Sequence, residues 1–325
     1  MGNCTCFFGL LEQFFEIFVI DQQGLGIVGD FFRTSDRTGA LQHLRLLISE
    51  RKNRGMETKT ILITGSTDGI GKGTAIGLAA MGHRPIIHGR DRNRCQSVAE
   101  EIQSRTGIRD VPYFMADLRS LEQVSAMAEA LGEQFDRIDV LINNAGVYET
   151  ERSITPDGFE TTFAVNHLSH FSLTLRLIDL LPPAESGRIV TVSSMVHAGN
   201  IDFSDLQSER DYDSYSAYAL SKLCNVLFTY ELAERLAPRQ ISATCLHPGV
   251  IDTKLLQAAF SGGAPVSEGA RNLVFAATAP EIEGMSGKYF FDRRATRTSD
   301  ITYDPAVRKK LWEMSLKMTG LTDPA

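Results

Sequence analysis

From residue 58 onward the chain alternates short apolar runs with longer stretches of helical spacing. Thr60-Ile61-Leu62-Ile63 is an uninterrupted apolar run, the pattern of a strand covered on both faces of a parallel sheet. Helical periodicity follows over residues 70–81. The pairing then repeats. Further strands are predicted at 85–88, 111–115, 138–142, 188–192, 241–246 and 288–291, and helices at 91–105, 120–135, within 157–181 and at 216–237. Strands separated by helices of this length imply right-handed crossovers and an α/β, doubly wound, mostly parallel sheet of seven strands flanked by helices. With no repeat or low-complexity linker after residue 56, residues 56–325 read as one domain.

Residues 1–55 follow a different pattern. The stretch 6–20 is rich in Phe but is broken by Glu12, Gln13 and Glu16, and it is shorter than the ~20 apolar residues of a membrane span. Three readings compete. It is an interfacial helix, although its polar residues are acidic; or Met1-Gly2-Asn3-Cys4-Thr5-Cys6 is a lipidation start, with Cys6 where Ser or Thr is preferred; or the working chain begins at Met56 and residues 1–55 are a mis-assigned start or a disordered extension. Membrane contact is expected only through residues 1–20.

Composition removes several classes. The 325 residues are 43% hydrophobic and 22% charged with a net charge of -7, and no basic stripe suggests nucleic acid. Cys4, Cys6, Cys95, Cys224 and Cys245 are odd in number and scattered, so neither a disulfide framework nor a metal site is expected. A reducing, cytoplasmic setting fits them best.

Two local features carry chemistry. At the first strand-to-helix turn stands Thr64-Gly65-Ser66-Thr67-Asp68-Gly69-Ile70-Gly71. Glycines there let the backbone approach a pyrophosphate, and the helix N-terminus offers free N–H groups and a positive dipole end. The spacing is Gly-x-x-x-Gly-x-Gly rather than the common Gly-x-Gly-x-x-Gly. Tyr218 and Lys222 stand four residues apart and share one helix face. A neighbouring ammonium is expected to lower the tyrosine pKa from about 10 and make it a general acid/base for an alcohol or carbonyl oxygen.

Together with Asn143-Asn144-Ala145-Gly146, Asn166, Ser194 and Pro248-Gly249 followed by Thr253, these motifs resemble the short-chain dehydrogenase/reductase family over residues 58–292. Residues 165–171, Asp205-Leu206-Gln207-Ser208 and His247-Pro248-Gly249 resemble its retinol-dehydrogenase-like and WW-domain-oxidoreductase-like branch. The resemblance implies a Rossmann-type fold and an NADP(H)- or NAD(H)-dependent oxidoreductase acting on a small carbonyl or alcohol. Tyr218 would exchange the proton, Lys222 would stabilise its phenolate and hold the nicotinamide ribose, and Ser194 would fix the substrate oxygen. Asn166, poorly suited to mid-helix, would hold a water of the proton relay near Lys222; a helix kink or a buried cap is the alternative. Ser193 competes with Ser194, but side chains alternate along a strand and only one of the two can face the site.

Cofactor contacts are implied for Gly65, Ser66, Thr67, Asp68, Gly69, Ile70 and Gly71, and for Asp117 with Leu118 at the adenine. They are also implied for Asn144, Ala145 and Gly146 beneath the nucleotide, for Tyr218 and Lys222, and for Pro248, Gly249, Ile251 and Thr253 at the nicotinamide. Gly89-Arg90, with Arg92 or Arg94 as helpers, suits a 2′-phosphate and favours NADP over NAD; Asp91 and Asp68 oppose it. The stretch 195–217, with Phe203, Asp205, Leu206, Tyr212 and Tyr215, is longer than the family's and is expected beside the site. Leu255, Leu256, Ala258, Ala259 and Phe260 form a variable cover that hints at a lipophilic substrate, hinged at Gly262 and Gly263. Family members commonly form homo-oligomers through the helices carrying Asn166 and Tyr218. A non-catalytic dinucleotide-binding regulator on the same fold is the competing function.

Overall fold

The computed structural model describes residues 57–183, 187–258 and 261–323, together with a backbone hairpin pairing Phe18–Asp21 with Gly24–Ile27. The remaining expectations for residues 1–56, and those for Ala259 and Phe260, lie outside the described residues.

The seven predicted strands form as β1 (Thr60–Ile63), β2 (Arg84–Gly89), β3 (Tyr113–Met115), β4 (Val140–Asn143), β5 (Arg188–Val192), β6 (Ser242–His247) and β7 (Lys288–Phe291). All of them pair in parallel. An eighth strand, β8 (Arg294–Thr296), turns back antiparallel on β7. The sheet order is β8-β7-β6-β5-β4-β1-β2-β3. The chain therefore reverses its direction of travel between β1 and β4, and a crevice opens at the carboxyl ends of those two strands.

Helices α1 (Gly69–Ala80), α2 (Arg92–Thr106) and α7 (Val266–Thr278) cover one face. The other face carries α3 (Leu121–Gln134), α5 (Ser214–Leu236), α8 (Pro305–Thr319) and the interrupted helix α4, which runs Thr161–Phe163, passes through a π-helical stretch Ala164–Leu168 and continues as Ser169–Leu177. Even the fully apolar β1 keeps a two-residue alternation: Ile61 and Ile63 pack with α1, α2 and α7, while Leu62 joins the core beneath α3 and α4. The helices start on side-chain caps. Asp91, Ser120 and Asp213 accept the backbone N–H of Arg94, Gln123 and Ser216, each three residues on.

Among the elements the sequence analysis did not predict are α7, α8 and β8. The C-terminal helix α8 lies against α5 and the π-helical stretch of α4. Its Trp312 is 2% exposed, meets Phe171 edge-on at 5.0 Å and stacks on Phe228 at 6.1 Å, with the Arg235 guanidinium 4.3 Å from the ring. Arg308 ion-pairs with Glu231 and Glu234 of α5. Part of the helical face expected to meet a second copy is thus covered by the chain itself. Among the described residues no helix is long and apolar enough to cross a membrane.

Trp312→Ala would remove the centre of this aromatic group. The expected loss is about 3–5 kcal/mol of unfolding free energy, read by denaturant titration followed by circular dichroism. A loss below ~1 kcal/mol would show that α8 is not part of the core.

Candidate active site

The glycine turn is shaped by contacts that leave no room for side chains. Gly65 has φ +64°, and a Cβ there would come within 2.9 Å of the Ala145 backbone. A Cβ on Gly71 would overlap the Gly65 carbonyl and the Asn144 amide. The start of α1 therefore presses directly against the loop after β4. Thr64 joins the two loops: its hydroxyl accepts the N–H groups of Asn144 at 2.8 Å and Ala145 at 3.0 Å, and Asn144 Nδ2 donates to the Thr64 carbonyl at 2.7 Å. Ser66 is fully buried; its hydroxyl donates to the Ile63 carbonyl and accepts from His88 N–H, both at 2.9 Å. It shapes the loop with its side chain, and its N–H is committed too, donating to the His88 carbonyl at 2.9 Å. The Thr67 side chain packs on Gly89.

The acids at the adenosine end are all committed. Asp68 caps α1 through Gly69 N–H at 2.8 Å and ion-pairs with Arg94 at 2.9 Å and Lys254 at 2.7 Å. The Lys254 ammonium, with help from Gly69 N–H and Arg94, holds its pKa below the usual range. Asp91 caps α2, accepting Arg94 N–H at 2.9 Å. Asp117 is gripped by Arg119, whose Nε lies 3.0 Å from one carboxylate oxygen, and its pKa is lowered accordingly. Arg90 and Arg92 stand exposed beside them. Leu118 is buried in the core, so its side chain faces away from the surface.

The polar residues predicted for proton transfer meet at the end of β5. Ser193 turns its hydroxyl away and donates to the Lys222 carbonyl at 2.8 Å, whereas Ser194 hydrogen-bonds Tyr218, as strand alternation requires. Tyr218 is half-buried, with the Lys222 ammonium 5.4 Å from its ring centre. Lys222 Nζ donates to the Val192 carbonyl at 3.1 Å. One expectation is corrected: Tyr218 is not lowered. Desolvation pushes it up to about 12, against the pull of the Ser194 hydrogen bond. Lys222 is itself pushed down to about 8 by burial. In the low-dielectric interior both groups favour their neutral forms, and the loss of water outweighs their mutual effect.

Asn166 lies in the π-helical stretch, a local irregularity of the α4 backbone. Its side chain is fully engaged: Oδ1 accepts Val147 N–H at 2.8 Å, and Nδ2 donates to the Val147 carbonyl and Ser221 Oγ, each at 3.0 Å. Gly146 passes between Asn166 and Lys222; a Cβ on it would lie 3.4 Å from Asn166 Oδ1 and 3.7 Å from Lys222 Nζ.

The third wall follows β6. Gly249 takes φ +104°, and Asn272 of α7 donates to the Pro248 carbonyl at 3.0 Å. Ile251 pairs with Ala264, which brings Gly263 hard against the Asp252 backbone. That packing makes Gly263 a fixed point rather than a hinge, while Gly262 keeps φ +75° in open space. Thr253 caps the short helix α6 (Lys254–Gln257), accepting Leu256 N–H at 3.3 Å, and sets its methyl beside Gly69.

These walls enclose a cavity of about 360 Å³ into which Asn144, Gly146, Ser194, Tyr218 and Lys222 open. Its apolar side is built by Met195, Val196, Val250, Ile251, Leu255 and Leu256; Ala258 is exposed. The extended stretch 195–217 contributes only Met195 and Val196 to the cavity. The rest is structural: Leu206 is buried with Ile201 beneath Phe163, Phe203 lies under Lys310, and the Tyr212 hydroxyl donates to the Glu149 carbonyl at 2.8 Å. Asp205 accepts Glu209 N–H at 2.7 Å, and Tyr215 is exposed. Sequence reasoning missed Tyr148, whose ring lies 5.5 Å from Tyr218, and also Asn272, Arg119 and His247, which lines the cavity stacked on Phe291. His247 had a signal in His247-Pro248-Gly249; the others had none. Among the described residues no cluster of His, Cys, Asp and Glu could hold a metal ion.

The sequence profile of the short chain dehydrogenase family matches residues 59–263. Human retinol dehydrogenase 14 is 38% identical over 296 residues, covering 82% of this chain and 88% of its own. A crystal structure of an uncharacterized protein from Mycobacterium paratuberculosis aligns with a TM-score of 0.69 at 32% identity, over 82% of this chain and 95% of that one. A short chain dehydrogenase from Burkholderia cenocepacia, solved in complex with NADP, aligns with a TM-score of 0.58 at 26% identity, over 71% and 95%. A dinucleotide-type loop and a Ser-Tyr-Lys group facing one cavity agree with these relationships: the chain belongs to the short chain dehydrogenase family, in its retinol-dehydrogenase-like branch, and is an NAD(P)-dependent oxidoreductase acting on CH–OH groups.

Proposed function

We propose that the protein interconverts a lipophilic carbonyl compound and its alcohol with NADP(H), using Tyr218 as the proton donor and acceptor. The observation that carries this is the convergence of Ser194, Tyr218 and Lys222 on one cavity whose lining also includes Val196, Ile251, Leu255 and Leu256. When bound, the nicotinamide supplies or takes up the hydride at the carbonyl carbon. The protein's part is the proton and the geometry. A phenol held near 12 is protonated at neutral pH, ready to be given to a substrate oxygen as that oxygen gains charge. Ser194 holds the same oxygen by a hydrogen bond, and Lys222, protonated below about 8, stabilises the phenolate left behind. Asn166 keeps Val147 and Ser221 in place around Lys222; its side chain is spent on them, which leaves its backbone carbonyl as the group to meet a relay water.

The chain's residues fit the dinucleotide. The turn from Gly65 to Gly71 keeps a shape that a Cβ at Gly65 or Gly71 would break against Ala145, Asn144 or the Gly65 carbonyl, and α1 supplies the N–H groups. Asp117 is placed for the adenine, with Leu118 supporting it from the core. Asn144, Ala145, Gly146, Pro248, Gly249, Ile251 and Thr253 hold the nicotinamide half. Arg90 takes the 2′-phosphate. The two acids that would repel that phosphate are spent, Asp68 on Arg94 and Lys254, and Asp91 on its helix cap. The NADP found in the Burkholderia cenocepacia relative supports the same choice. Residues 56–325 act as one working domain, with residues 1–55 an extension whose first 20 residues are the place for membrane contact. Buried thiols at Cys95, Cys224 and Cys245 suit the cytoplasm. A second copy, if it docks, does so on the helical surface that α8 leaves open.

Tyr218→Phe tests the assignment directly. Turnover of an aldehyde and ketone panel with NADPH should fall by about 10²–10⁴-fold, whereas a non-catalytic nucleotide binder would show no difference between the two proteins. Arg90→Ala should raise the apparent KM for NADPH by about 10–100-fold, the worth of a charge-assisted contact, and leave that for NADH nearly unchanged; equal shifts would remove Arg90 from the phosphate site. Carbonyl reduction should decline as pH rises through about 8, where Lys222 loses its proton. A rate that stays level to well above that pH would show that the charge on Lys222 is not needed.

A further inference from the structure

His170 is fully buried on α4, one turn after Asn166, and does not line the cavity described above. Its surroundings are a chain of polar contacts. Nδ1 lies 3.2 Å from the Asn166 carbonyl, and Nε2 lies 3.0 Å from the Thr64 hydroxyl. The direction of each bond can be assigned. A carbonyl only accepts, so Nδ1 carries the hydrogen and donates to Asn166. Nε2 is then an acceptor. The Thr64 hydroxyl already accepts from the N–H groups of Asn144 and Ala145, so its single hydrogen is left to donate. It goes to His170 at 3.0 Å in preference to the Ile142 carbonyl at 3.3 Å. The opposite tautomer would point a bare nitrogen at the Asn166 carbonyl and a third donor at Thr64. Burial pushes the imidazole down to about 3, so the neutral ring persists throughout the working range.

The helix gives this ring its first partner. In the π-helical stretch Ser169 N–H reaches back five residues to the Ala164 carbonyl. The next two carbonyls receive side-chain donors: Ser169 Oγ bonds Val165 at 2.8 Å, and His170 Nδ1 bonds Asn166. Ser169 ends its chain there. His170 continues through Thr64 to both loops that face the nucleotide.

We infer that His170 is a positioning residue that couples the dinucleotide loop to the Asn166 backbone, through the relay Asn166 C=O, His170, Thr64 and the Asn144-Ala145 amides. The inference rests on the reading of Asn166 and Thr64-Gly65 given above, and it adds a specific link between them. Removing the link should loosen nucleotide binding and misplace Asn166 relative to Lys222 together.

Three variants separate this role from simple packing. His170→Phe keeps the ring volume and removes both polar atoms. His170→Asn keeps a donor for the Asn166 carbonyl but is too short to reach Thr64. Ser169→Ala removes the other side-chain bond to the π-helical carbonyls and touches neither loop. The NADPH dissociation constant, measured by calorimetry without substrate, is read beside kcat at saturating NADPH and the melting temperature. His170→Phe should weaken NADPH binding and lower kcat, each roughly tenfold. His170→Asn should weaken NADPH binding to a similar degree, and it carries the test if the Phe variant does not fold. Ser169→Ala should lower only the melting temperature. The inference is overturned if His170→Asn binds NADPH within about twofold of the parent, or if Ser169→Ala weakens binding as much as the His170 variants do. Because binding is read without turnover, a failure of Tyr218 as proton donor would leave this result unaffected.

Discussion

An ammonium group 2% exposed to solvent is expensive to keep, and Lys222 is that group here. The cost shows in its pKa, drawn down to about 8 by desolvation. Most of the site can be understood as the arrangement that tolerates this lysine. β5 ends at Val192 so that its carbonyl accepts Nζ, and Asn225 Nδ2 reaches the same oxygen at 3.2 Å. Gly146 runs between Asn166 Oδ1 and Nζ, so that even a Cβ there would touch both. Ser193 turns inward to bond the Lys222 carbonyl and fix the helix against the strand, which leaves Ser194 to face the cavity.

The same economy of charge governs the adenosine end. Asp68, Asp91 and Asp117 follow the carboxyl ends of β1, β2 and β3, and each is held by a backbone cap or a cation. Exposed pairs of this kind add little to stability. Their effect is on the local field: they leave the exposed guanidinium of Arg90 as the charge a dianionic ligand would meet first. Lys254 has a second effect, because it joins the cavity cover at α6 to the glycine turn through Asp68.

The parts legible in the sequence were those governed by local rules. The parallel strands follow from apolar runs too uniform for any half-exposed strand, and Ser194 follows from alternation at the end of β5. Asn166, ill suited to a helix interior, stands out in the sequence as an irregular position, but neither the π-helical stretch nor its clamp on Val147 could be read. What depended on long-range contact was illegible. Tyr218 was expected to be acidified because Lys222 lies one helical turn away, but burial sets the sign and spacing says nothing about burial. Tyr148 and Asn272 belong to the site only through packing. The stretch 195–217 was near the cavity as expected, yet it serves mainly to cover α4 and α5, because Leu206 and Ile201 find a better partner in Phe163 than in a ligand.

The aromatic stack at Trp312 bears on where the working unit ends. The family profile stops at residue 263, but the back of α5, whose front carries Tyr218 and Lys222, is walled by a helix that runs to Thr319. His167, in the same helical stretch as Asn166, meets Ser315 of that helix at 2.9 Å. The segment shared across the family is therefore not a self-sufficient module in this protein. Trimming a gene to the matched region would leave α5 with an uncovered apolar flank, and transplanting the site would require moving its C-terminal buttress with it.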